Sequence, residues 1–210
     1  MRNKILAALL AATFVALPTA SFATGWQFGV QGGGAIPTGD FADIDAETGY
    51  IFGVLADYLF DETWAFGANF SMAGNNHADV GVTQNIPGGG TYTLDEDKYT
   101  TTQIGVHAKY MFPSGGKIKP FGILGVGLTQ FKEEYTETYT FPSAPDDTQT
   151  YEFKADQKFG GRLGGGATWW LNEMWGLGGE ADYNYVSQEG GSLTYIALRA
   201  GATVKILGAK

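Results

Sequence analysis

The run FGGRLGGGATWWLNEMWGLGGEADYNYV, Phe159 to Val186, changes character at every second residue on both sides of a tight turn at Leu171-Asn172-Glu173. Alternation of period two places successive side chains on opposite faces of a strand. Phe159, Leu163, Ala167, Trp169 and Leu171 therefore share one face before the turn, and Trp175, Leu177, Ala181, Tyr183 and Tyr185 share one face after it. The opposite face carries Arg162, Thr168, Glu180, Asp182 and Asn184, with glycines between them. One face suits hydrocarbon and the other holds charge. With tryptophans where each strand meets the turn, this is the pattern of a hairpin that crosses a bilayer.

The ends of the chain agree with export. Arg2 and Lys4 precede an apolar stretch from Ile5 to Leu17, and Ser21-Phe22-Ala23 forms a small-x-small cleavage site. The expectation is a signal peptide over residues 1–23, cleaved after Ala23, because the apolar stretch is too short to span a membrane and Pro18 soon breaks it. Residues 24–210 then form one domain, and no later segment is long and apolar enough for a transmembrane helix. Losing Arg2 and Lys4 leaves 11 basic residues against 22 acidic ones and moves the formal net charge from −9 to −11. Such a surface repels nucleic acid, and no nucleic-acid partner is expected. The 32 glycines are about double the ~7% of an average protein, in a chain that is 14% aromatic, which favours closely packed, sharply bent strands over disorder. Cysteine is absent, so closure and burial must provide the stability.

Alternation and turn signals give eight strands, at 25–36, 49–60, 64–73, 98–112, 118–131, 157–171, 174–186 and 192–206. Most reach the ~9 to 11 residues that a tilted strand needs to cross a bilayer. Connections at 61–63, 113–117 and 172–173 are short, those at 37–48, 74–97 and 132–156 are long, and 187–191 is short where a long one would continue the series. Short turns on one side and longer loops on the other fit an all-β, eight-stranded antiparallel transmembrane β-barrel with up-and-down meander topology. An even strand count puts both termini on the periplasmic side.

The outward faces follow from the same alternation. Tyr50, Phe52, Val54, Ala56, Tyr58 and Phe60 line up in the second strand, Trp64, Phe66, Ala68, Phe70 and Met72 in the third, and Ile104, Val106, Ala108, Tyr110 and Phe112 in the fourth. Leu124, Val126 and Leu128 are assigned outward in the fifth, although Phe121 and Ile123 on its other face blur the pattern. In the eighth, Ile196, Leu198, Ala200, Ala202, Val204 and Ile206 oppose Tyr195, Arg199, Thr203 and Lys205. A soluble lipocalin-type barrel also alternates after a leader, but its apolar face points inward. Two features favour the membrane: the polar face is rich in glycine and small residues, and aromatics gather beside the short turns. Those expected to form the girdle are Tyr58, Phe60, Trp64, Phe66, Tyr110, Phe112, Trp169 and Trp175.

The segment from Phe159 to Tyr185 resembles the small outer-membrane β-barrel domain proteins related to OmpA, OmpX and OmpW. Their sixth and seventh strands run Phe-Gly-x-x-x-Gly-x-Gly, a turn, then Trp-x-Leu-x-x-Glu-x-x-Tyr. Lys119-Pro120-Phe121-Gly122 with Gly125 and Gly127 is similar to the fifth strand of that group. The resemblance implies a cell outer membrane location, outer-membrane lipid and lipopolysaccharide as surroundings, the barrel-assembly machinery as an assembly partner, and a monomer. The chain departs from the group at its end, Val204-Lys205-Ile206-Leu207-Gly208-Ala209-Lys210, where such barrels usually finish on an aromatic residue.

Asp57, Lys109, Arg162, Glu180, Asp182 and Arg199 all fall on the expected interior face, as does Lys205. An unpaired buried ion is costly, so these charges must pair or keep water. Arg199 should lie near Glu180 or Asp182 on the neighbouring strand, with Arg162 reaching the same acids from the other side. An ion network plugging the lumen is the preferred reading over a gated conduction path, because eight strands leave an interior just filled by side chains.

No catalytic residue, cofactor or metal is expected. A lipid A deacylase or acyltransferase on this scaffold would need a nucleophile and base at the outer rim facing lipid. His107 points inward beside Lys109 near the periplasmic end, while His77 has Ser71 and Asp79 near it at spacings that specify nothing. The glycines from Gly160 to Gly166 do not form a phosphate-binding loop, since alternation runs straight through them where a helix should open. Acids concentrate in the long loops, at Asp40, Asp43, Asp45, Glu47, Asp79, Asp95 to Asp97, Glu133, Glu134, Glu137, Asp146, Asp147, Glu152 and Asp156, without the spacing of a calcium loop. They are read as solvated surface charge, with cation bridging to lipopolysaccharide phosphates as an alternative.

Thr, Tyr and Glu alternate from Glu133 to Phe141, which suggests that the fifth and sixth strands continue above the membrane, where an open edge could pair with a host or surface ligand. The function expected is structural or adhesion-like surface interaction. The alternative is an OmpW-like conduit for small apolar molecules, which would need an apolar lumen leading to a lateral opening, whereas the expected lumen is charged and glycine-rich.

Overall fold

The structure, a computed structural model, describes residues 25–87, 89–188 and 191–207. The leader at 1–23 and its cleavage after Ala23 lie outside the described residues. Ten strands and one short helix follow in chain order: β1 (Gly25–Thr38), α1 (Asp40–Asp43), β2 (Gly49–Leu59), β3 (Trp64–Asn76), β4 (Thr83–Ile86), β5 (Gly90–Met111), β6 (Ile118–Thr140), β7 (Asp147–Lys154), β8 (Lys158–Trp170), β9 (Trp175–Gln188) and β10 (Gly191–Leu207).

Eight of these strands form a ring in the order β1-β2-β3-β5-β6-β8-β9-β10, with every pairing antiparallel. It is closed by β10 against β1 and by β5 against β6. Closure removes the sheet edges that hydrocarbon could not satisfy. The eight expected strands are these eight.

Two turns at the periplasmic end share one chemistry. The Asp61 carboxylate accepts the backbone N–H groups of Thr63 and Trp64, both at 2.7 Å, and the Asn172 side-chain oxygen accepts those of Met174 and Trp175, both at 2.8 Å. Asp and Asn favour tight turns because their side chains replace a backbone partner in this way. A tryptophan thus begins the next strand at each turn.

The lipid face is as alternation requires. Val126, Leu163 and Leu198 point outward at 59%, 64% and 47% exposure, while Phe121 and Ile123 on the blurred strand point into the lumen. Around the periplasmic rim Trp26 stands 5.3 Å from Tyr58, Trp64 5.0 Å from Tyr110, and Tyr110 5.1 Å from Phe112, measured between ring centroids. Phe66 stacks on Trp64, and Trp169 and Trp175 are exposed at the same level. Tyr50, Phe159 and Tyr185 are exposed toward the opposite rim. From Tyr50 to Tyr58 the tilted strand rises ~20 Å, close to the ~25 Å height of a lipid-facing band.

Three expectations need correction. The fourth strand is expected at 98–112, but β5 begins at Gly90 and carries a small hairpin with β4. The sixth strand does not continue unbroken upward. It is interrupted after Lys154, and β7 is a separate strand paired with the upper half of β6. These residues are above the lipid and have no apolar face to bury, so the periodicity that marks the other strands is missing. The third correction concerns the lumen. Its extracellular end is apolar, with Ile51, Ala73, Tyr99, Phe131, Val186, Leu193, Tyr195 and Ala197 packed inward.

Candidate functional site

The expected interior charges divide into two clusters. Toward the periplasmic end Asp57, at 0% exposure, accepts from Lys109 Nζ at 2.6 Å and meets His107 Nε2 at 2.7 Å. The other ring nitrogen of His107 faces the Asn69 side-chain oxygen at 3.2 Å, and Lys109 Nζ lies 4.9 Å from the centre of the Phe121 ring. Gly67 leaves room for this cluster, because a Cβ there would come within 2.2 Å of Asp57 Oδ1 and 2.8 Å of His107 Nε2.

The second cluster lies mid-barrel on β8, β9 and β10. Arg199 Nη1 stands 3.0 Å from Glu180 Oε1 and 2.8 Å from Asp182 Oδ2. Arg162 Nη2 donates to the same Glu180 oxygen, and its Nε is 3.8 Å from Asp182 Oδ1. Asn184 donates to Asp182 at 2.6 Å. Two guanidinium groups face two carboxylates, so the cluster is formally neutral. Gly164 accommodates it, since a Cβ there would approach Asp182 Cβ to 2.5 Å. Lys205 belongs to neither cluster and lines the periplasmic mouth with Glu62 and Lys119.

Beneath these side chains a void of about 20 Å³ lies among Gln27, Gln31, Leu55, Lys109, Phe121 and Thr168, room for about one water. Above them the lumen is corked. Phe41, from α1, is 3% exposed and packs edge-on against Tyr99 and Phe131 at 5.9 and 6.2 Å between ring centroids. Asp40 anchors this helix by accepting from the Ser192 N–H at 2.7 Å and its hydroxyl at 3.0 Å. Sequence reasoning misses the cork, because its only signal there is one aromatic residue within an acidic loop.

Above the membrane-crossing portions, β5, β6 and the two short strands make a projecting sheet in the order β4-β5-β6-β7. Every residue of β7 is exposed, and among the described residues its one strand partner is β6. Threonine hydroxyls pair across it, Thr136 with Thr150 at 3.0 Å and Thr138 with Thr148 at 2.9 Å. Burial, then the Glu137 carboxylate that accepts its hydroxyl at 3.0 Å, push the Tyr92 phenol up to about 12.

The loop acids are expected to be solvated, and not all of them are. Asp97 is 6% exposed at the mouth of the lumen, and Glu133 lies near it. Burial pushes the Asp97 carboxyl up while His77 and the Tyr99 hydroxyl oppose it. Burial and the Asp97 charge push Glu133 up.

A closed ring with aromatic rims, an apolar outer wall and paired charges buried in its interior defines the class: a small transmembrane β-barrel. Residues 5–205 match the outer membrane protein beta-barrel domain family, and the chain belongs to that family in the outer membrane. Solved structures of other outer-membrane proteins share the fold. Neisserial surface protein A aligns over 86% of this chain and 97% of its own, at 15% identity and a TM-score of 0.56. A major outer membrane protein from Thermus thermophilus aligns over 86% and 99%, at 16% identity and a TM-score of 0.50. No curated protein sequence matches the chain.

Proposed function

We propose that this protein is a closed, monomeric membrane platform that presents its projecting sheet to a partner at the cell surface and carries out no catalysis. The observation that carries this reading is the open outer edge of β7, exposed along its whole length above a lumen corked by Phe41 and plugged by the two charge clusters. An open edge offers unpaired N–H and C=O groups and can take a further strand from a host or surface protein. The Asp57–His107 pair has the geometry of an oriented base but is buried in the barrel interior, and its partners Asn69 and Lys109 are not nucleophiles for acyl transfer at the rim.

Joining Lys132 directly to Lys154 through an Asn-Gly turn removes all of β7 but its last residue and should keep the barrel folded, since these residues face each other at the base of the hairpin. Adhesion of expressing cells to host-cell and matrix surfaces should then fall to the level of cells lacking the protein. Undiminished adhesion by the shortened variant would refute the assignment to this edge.

A separate expectation concerns conduction. In planar bilayers the purified protein should show no steady large conductance, because ions find no continuous path past Phe41 and the two charge clusters. Reproducible single-channel steps of porin size would reject the closed reading, and saturable passage of small apolar molecules would favour a conduit instead.

A further inference from the structure

Three side chains from two surface loops converge beside the cork. Asp45, His77 and Asp79 place ligand-type atoms within 4.8 Å of one another. The backbone fixes the loops together there: Ala46 and His77 form a β-bridge, Ala78 N–H donates to the Asp45 carbonyl at 2.9 Å, and Glu47 N–H donates to the Asn76 carbonyl at 2.8 Å. Two carboxylates and an imidazole at this separation can surround a single cation.

A second observation points the same way. Asp97, only 6% exposed, lies directly under His77, whose backbone N–H donates to the Asp97 carbonyl at 3.1 Å. One oxygen of the Asp97 side chain accepts from the Tyr99 hydroxyl at 3.3 Å, while the other, Oδ1, has no partner among the described residues. The Tyr99 ring stands 6.3 Å from the His77 ring. A buried carboxylate oxygen left without a donor is costly.

The tautomer of His77 connects these facts. Its Nδ1 accepts from the Asp79 backbone N–H at 3.0 Å, so in the neutral ring Nε2 carries the proton. A cation taking the Nδ1 lone pair displaces the Asp79 N–H from it and leaves the Nε2 proton in place. The free oxygen of Asp97 is then the acceptor available to it. A metal-bound histidine characteristically donates its second N–H to a carboxylate, which orients the ring and raises its basicity.

We propose that Asp45, His77 and Asp79 form a divalent-cation site of the zinc class at the extracellular mouth, with Asp97 orienting His77 from below. The donor set selects the cation class. Zinc and its neighbours accept mixed imidazole and carboxylate ligands, whereas calcium takes six to eight oxygens and does not favour a nitrogen. Three protein ligands leave a fourth position for water or an exogenous group. The bound cation would fasten the loop that carries Phe41 to the loop that leads into β4.

The test is a calorimetric titration of the refolded full chain in detergent with Zn²⁺, together with the visible spectrum after Co²⁺ is added. Wild type should take up one equivalent of Zn²⁺ that Ca²⁺ does not displace, and its Co²⁺ complex should show d–d bands of nitrogen and oxygen ligation. His77→Ala, Asp45→Asn and Asp79→Asn should each abolish uptake. Asp97→Asn should bind about 10- to 100-fold more weakly, as for other groups that orient a ligand. The gel shift between heated and unheated samples identifies any variant that has not folded. In that event the wild-type stoichiometry and Co²⁺ spectrum decide the matter. Absence of binding by wild type, displacement by Ca²⁺, or unchanged uptake by folded His77→Ala would overturn the site.

Discussion

Arg199→Met is expected to destabilise the folded barrel by about 3 to 5 kcal/mol, less whatever lumen water recovers, since it leaves a buried carboxylate uncompensated. Arg199 contacts Glu180 and Asp182 at 3.0 and 2.8 Å, and Arg162 alone cannot neutralise both acids. Glu180→Gln added to Arg199→Met restores formal neutrality and should recover part of the loss. The quantity that decides is the coupling energy from a double-mutant cycle, measured by equilibrium unfolding in lipid vesicles. Strict additivity, seen again with Asp182→Asn, would mean that these contacts carry no energy together.

Replacing Val126, Leu163 or Leu198 with Arg should cost about 2 to 4 kcal/mol each near the bilayer midplane. Each lies mid-strand in the ring, on β6, β8 and β10, and points away from the lumen. The cost arises from putting a guanidinium where only hydrocarbon is available. Equilibrium unfolding in vesicles reads it directly, and values near zero at all three positions would reverse the assigned faces. Substitution on separate strands of the ring distinguishes this effect from any one strand's local packing.

Sequence reveals the membrane-crossing wall because hydrocarbon enforces a strict rule there. Every second residue of β8 and β9 meets lipid, so Leu163, Trp175 and Tyr183 mark their face without reference to any other strand. The lumen imposes a looser rule. It accepts Phe121 and Ile123 as readily as Arg162, which is why β6 reads as two apolar faces in sequence. The pairing of Arg199 with Glu180 is legible because adjacent strands of a meander must lie side by side, and register then places the two opposite each other.

What stays hidden depends on distant contacts. Phe41 is separated from Phe131 by almost half the chain, and only ring closure brings them together. Asp45 and His77 meet because two loops pair over the mouth, and neither the local spacing nor the composition of either loop encodes that meeting. β4 and β7 bury no face, so alternation has nothing to report.

The wall of this barrel is of unequal height. β5 and β6 run for 22 and 23 residues, whereas β2 runs for 11. About a dozen residues of β6 rise beyond the lipid, roughly 40 Å along the strand. A molecule built this way has a heading as well as a position: it stands in the membrane like a fin, with its open edge on one flank. Rotation about the bilayer normal therefore decides which neighbours the edge can meet, and a partner anchored in the same membrane would have to approach from that quarter of the compass.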